Sequence, residues 1–230
     1  MAHWPGWAGV IVATVGATEN HVKLGAASRH SHRSMMSVQP FSMAAAHEVS
    51  PAEAVRRLYV AHAAELRLGV ARLAGKHLDP DDLLQEVFMV ALRKPADVLT
   101  ADSPKAWLYG VAVKVAASRR RTATVRRFFG LDEVAEVADA ESPSRTVEQR
   151  DASRRVQRVL SKLSEKKREV LVLHELQGLP GEEIAAALRI PLKTVWTRLF
   201  HARKDFAAEL ARLEVVEART SGLPQERRHG

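Results

Sequence analysis

Lys193, Thr197, His201 and Lys204 recur at intervals of four, four and three residues, with Arg198 and Arg203 on their flanks. At 3.6 residues per turn this spacing puts the four on one stripe of a helix. Such a stripe offers donors to the edges of bases and cations to phosphates together. Val195, Leu199, Ala202 and Phe206, spaced four, three and four, occupy the opposite stripe and can be buried. The residues just upstream predict a first short helix over about Glu182 to Leu188 and a tight turn at Arg189 to Pro191. The second helix then runs from Leu192 to about Lys204. That is the layout of a helix-turn-helix that reads duplex DNA. An ordinary amphipathic helix with a solvated basic face has the same pattern, and the motif alone does not separate the two.

Charge favours a polyanionic partner. The 230 residues carry 35 Lys and Arg against 27 Asp and Glu, a formal +8, with a pI near 10.1, as a phosphate-binding surface would produce. The charge is zoned: five arginines and no acid lie between Arg119 and Arg127, while Asp132 to Asp151 holds seven acids against two arginines. Hydrophobic residues make up 46% of the chain, enough for packed cores, and the 5% of aromatics favours helices over a β-sandwich. Cysteine is absent, which excludes disulfides and thiolate metal sites and suits a cytoplasmic setting. His30 and His32 lie in a stretch with no sustained periodicity and read as no metal site. No Walker-type glycine loop, H-E-x-x-H helix or nucleophile elbow is found, so the expectation is a binding protein with no catalytic residue and no cofactor.

Three helix starts share one signature, a capping side chain followed by proline. Ser50-Pro51 with Glu53 opens a helix whose Val55, Leu58, Tyr59, Leu66, Val70 and Leu73 keep helical spacing to near Gly75. Asp79-Pro80 with Asp82 opens a second, stopped by Pro95 after about Arg93, and Ser103-Pro104 opens a third that reaches the arginine cluster. No alternating strand pattern intervenes, so the fold class is all-α. In the second helix Leu84, Val87, Phe88 and Ala91 make an apolar stripe, and Asp82, Gln85, Glu86, Met89 and Arg93 the other. That polar stripe is either simple solvation or a docking face for a basic protein.

Two strings carry a family resemblance. DPDDLLQEVFMVAL, followed by SPKAWLYGVAVKVAASRRR, resembles region 2 of the extracytoplasmic-function sigma factors of the sigma-70 family. LSEKKREVLVLHELQGLPGEEIAAALRIPLKTVWTRLFHARKDF resembles their region 4, in the family's order. The resemblance implies two small helical domains: residues 50–122 as region 2 and 153–210 as region 4. Residues 123–152 are then a flexible acidic linker, 1–49 a disordered extension and 211–230 a tail.

It also implies partners. Asp82, Gln85, Glu86 and Met89 would meet the β′ clamp helices of core RNA polymerase, and an apolar groove of region 4 the β flap. Lys114, Arg119, Arg120 and Arg121 would add cations where the minus-ten element of promoter DNA is opened, although cations at a helix C-terminus also suit its dipole. Lys193, Thr194, Thr197, Arg198, Phe200, His201 and Lys204 would read the minus-thirty-five element. An anti-sigma factor fits the same reading, and a small-molecule substrate does not. The chain departs from the family pattern at Val113, Lys114 and Ser118, and at Pro180-Gly181, where a hydroxyl N-cap is usual. Lys193 and Trp196 also replace the usual small residue and lysine. The alternative is a conventional helix-turn-helix regulator that binds duplex DNA as a dimer and never recruits polymerase.

Overall fold

The computed structural model describes residues 49–75, 78–129 and 146–221. All but the last residue of the expected extension at 1–49 and the middle of the expected linker, 130–145, lie outside the described residues, as does 222–230. Helix α1 spans Pro51–Ala74, and Ser50 Oγ accepts the Glu53 amide at 3.2 Å, as the sequence predicts. Gly75 ends it at φ +80°, a conformation open to glycine. Asp79 caps α2, Pro80–Arg93, through the Asp81 amide at 2.8 Å. Pro95 stops α2 and also opens a one-turn helix, α3, Pro95–Leu99. Ser103 Oγ accepts the Ala106 amide at the start of α4, Pro104–Phe128.

The second half begins with α5, Val147–Lys162, opened by a full capping box between Thr146 and Gln149. Helix α6, Glu165–Leu171, continues into a π-helical turn, Val172–Leu176. Next come α7, Gly181–Leu188, and α8, Leu192–Ser221. Among the described residues there is no strand. Two helices outrun their expected ends, α4 past Thr122 and α8 past Lys204. Neither Gly nor Pro occurs between Leu192 and Ser221, so nothing stops the last helix there.

Helices α1, α2 and α4 form one bundle around Leu66, Val70, Val87, Leu108 and Ala112, each at most 1% exposed. Helices α5 to α8 form another around Leu160, Val170, Ile184, Val195, Leu199 and Phe206. The two bundles pack against each other. A Cβ on Gly110 of α4 would lie 2.6 Å from the carbonyl oxygen of Ala187 in α7, so only glycine allows this approach. A Cβ on Gly69 would meet the Tyr109 ring at 2.6 Å and the Gln177 amide carbon at 3.1 Å. The Tyr109 hydroxyl, buried in that seam, donates to Gln177 Oε1 at 2.6 Å. Burial, with the Glu65 carboxylate nearby, pushes the phenol well above its ordinary pKa, so the donor persists into alkaline solution.

Candidate nucleic-acid interface

Helix α8 places the expected reading stripe in solvent. Lys193, Thr197, Phe200, His201 and Lys204 are exposed, Thr194 and Arg198 half-buried, while Val195, Leu199, Ala202 and Phe206 fix the helix from beneath. Thr197 Oγ1 donates to Lys193 O at 2.9 Å on its own helix, which leaves its methyl and a lone pair outward. Phe200, 58% exposed, touches His201 with ring centroids 5.4 Å apart. Arg203 is tied down: its Nε donates to Glu175 Oε1 at 2.9 Å. Burial raises the Glu175 carboxyl, and hydrogen bonds from His174 and Arg203 outweigh it, so the net shift is downward.

Two departures from the family pattern prove to be one packing event. Trp196 lays its indole over the start of α7, where a Cβ on Gly181 would lie 2.5 Å from the ring. The same indole meets the His174 ring edge-on at 5.7 Å. Trp196 therefore fits because residue 181 has no side chain, and Pro180 at the N-cap makes no side-chain cap bond. Nothing in helical spacing links residues 181 and 196, so the pairing was beyond a reading of sequence.

On α2 the side chains of Asp82, Gln85 and Met89 are exposed, and Leu83 joins Leu84, Val87 and Phe88 beneath them. Glu86 bonds to Arg119 across from α4, which draws that arginine onto the acidic stripe. The four expected strand-binding cations thus take different places. Arg121 is exposed. Arg120 sits in the seam, its Nη1 donating to Leu73 O at 2.6 Å and its Nε to Glu165 at 2.7 Å. Lys114 faces α7, and burial followed by the like charges of Arg189 and Lys94 holds its ammonium below the ordinary lysine value.

The Sigma-70 region 2 family matches residues 58–126, and the Sigma-70 region 4 family matches 153–206. RNA polymerase sigma-H factor of Pseudomonas aeruginosa is 30% identical over 146 residues, which cover 59% of this chain and 75% of that one. The chain belongs to the extracytoplasmic-function group of the sigma-70 family. ECF RNA polymerase sigma factor SigL of Mycobacterium tuberculosis is likewise 30% identical over 163 residues, 70% of this chain and 92% of the relative. A solved structure of the sigma factor RpoE in complex with the anti-sigma factor NepR from Bartonella quintana shares the fold. Its TM-score is 0.56 at 23% identity, over 70% of this chain and 98% of that one. A conventional helix-turn-helix regulator accounts for the second family match alone; the region 2 match, on α1, α2 and α4, is what sets this sigma factor apart.

Proposed function

We propose that this sigma factor acts by binding alone, dividing its work between the two bundles. The exposed stripe of α2, Asp82, Gln85, Glu86 and Met89, docks on core RNA polymerase. The exposed stripe of α8 reads the minus-thirty-five element as duplex, with Lys193, Arg198 and Lys204 supplying cations and Thr194, Thr197, Phe200 and His201 the edge contacts. Lys114 and Arg119 to Arg121 serve the opened minus-ten strand, where unstacking is offset by contacts to bases and phosphates. Nucleotide addition belongs to the polymerase, and the work is done in the cytoplasm. The observation that carries the reading is the pair of sigma-70 matches in order, 58–126 and 153–206, with a solvent-facing donor stripe on the second.

The packed arrangement is a closed form. Two elements centred roughly 25 base pairs apart are separated by roughly 85 Å at about 3.4 Å per pair. A globule of about 160 residues has a radius of gyration of only about 15 Å. The bundles must part to reach both elements at once, which frees Arg120 from Leu73 and Glu165 to join the already exposed Lys114 at the strand. An anti-sigma partner would act by holding them together. Transcription with purified core polymerase and genomic DNA tests the reading: start sites should appear only when this chain is added. Start sites unchanged by its addition would overturn it.

A further inference from the structure

A cavity of 310 Å³ lies between α4 and α7, and its charged walls come from both bundles. Lys94 follows α2, Lys114 projects from α4, and Arg189 stands in the turn between α7 and α8. Asp97 is the single carboxylate of the lining, against those three cations. Trp107 supplies apolar wall, and the three cations around it reach solvent at the mouth. Lys114 registers the crowding: after burial, the groups that depress its ammonium are Arg189 and Lys94. Like charges brought together at a cavity, with one acid among them, leave a net demand for an anion.

The backbone at Arg189 adds a second observation. Arg189 is the one non-glycine residue with positive φ among the described residues, at φ 55° and ψ 50°. Glycine adopts this left-handed conformation freely, and residues with a Cβ do so at a cost. Here the turn instead carries a guanidinium to the mouth of the cavity. The same left-handed residue ends α7 as its C-cap, and in doing so fixes where its side chain leaves the backbone.

We infer that this cavity is a binding site for a phosphate-rich anion, held by Arg189 as a forked donor and by Lys94 and Lys114 as point charges. The volume lies at the small end of ligand pockets, which run from about 300 to 1,000 Å³, so it suits a short oligophosphate chain. Arginine matches phosphate through two parallel N–H bonds, and lysine supplies charge without that geometry. Because Lys94 and Lys114 belong to one bundle and Arg189 to the other, the occupant bridges them and favours the closed form. The phosphates can belong to a free oligophosphate or to a nucleic-acid strand.

Titration calorimetry of the full chain with inorganic tripolyphosphate, against sulfate at equal ionic strength, tests the site. Tripolyphosphate should bind saturably, and Arg189→Gly and Lys94→Gln should each weaken it at least tenfold. Arg189→Gly also relaxes the left-handed turn, so its melting temperature should not fall, and lost binding cannot be laid to misfolding. A single-stranded oligonucleotide forms the second arm. Oligonucleotide binding that loses the same factor in Arg189→Gly assigns the phosphates to a strand, and binding indifferent to it assigns them to a free ligand. No saturable tripolyphosphate binding, or wild-type affinity in both variants, would overturn the inference.

Discussion

Gly110→Ala separates what a helix gains locally from what the packing of two bundles loses. Within α4 the change is favourable, since alanine is better than glycine in a helix interior by about 1 kcal/mol. At the seam it is not. The new Cβ would lie 2.6 Å from Ala187 O and 3.2 Å from its carbonyl carbon, and backbone atoms cannot swing aside as a side chain can. Restoring the 3.4 Å of ordinary contact requires α4 and α7 to part by about 0.8 Å. Overpacking of this order costs about 1 to 3 kcal/mol, which favours the parted form by roughly fivefold to 150-fold. The chain has no cysteine, so Arg93→Cys with Arg212→Cys gives a clean pair of dye sites, one on each bundle. Gly110→Ala should lower energy transfer between the dyes while helicity holds or rises. Transfer equal to the parent's in a fully helical variant would refute the close approach.

Four further outcomes follow from the same structure. Replacing Asp82 and Glu86 by Lys should weaken core polymerase binding with little loss of stability, since the one ion pair removed, Glu86 with Arg119, is at the surface and worth about 0 to 1 kcal/mol; pull-down with core and circular dichroism check the two halves. Alanine at Thr197 or His201 should relax preference at the minus-thirty-five element by about 1 to 3 kcal/mol per lost base contact, read by competition between promoter variants. Gly181→Ala should destabilise the second bundle by about 1 to 3 kcal/mol and lose most of that cost in a Trp196→Ala background, a coupling that thermal denaturation of all four forms measures. Glu175 has a lowered pKa, so its contribution is present above the ordinary carboxylate range and lost as pH falls through the depressed folded value. Glu175→Gln should therefore flatten that part of the stability curve in acid, seen by denaturant titration across pH.

The helices were legible where local chemistry sets them. Ser50, Asp79 and Ser103 announce α1, α2 and α4, because a cap and a first-turn proline act within four residues. The apolar stripe of α8 was equally plain, since Val195, Leu199, Ala202 and Phe206 must share a face. The capping box of α5, Thr146 and Gln149, was present in the sequence but masked by the acidic stretch it closes. What could not be read is the seam. Tyr109 and Gln177 meet 68 residues apart, and Gly110 matters through the side chain it lacks. Arg120 shows the consequence: helical spacing makes it one of a run of cations, and only the packing commits it to Leu73 and Glu165.

Permanganate footprinting on a linear promoter, with and without core polymerase, tests the central claim most directly. Thymines around the minus-ten element should become reactive only when this chain and core are both present, and the chain alone should leave the duplex closed. Protection of a palindromic duplex site by the chain alone, with no reactive thymines when core is added, would contradict the account.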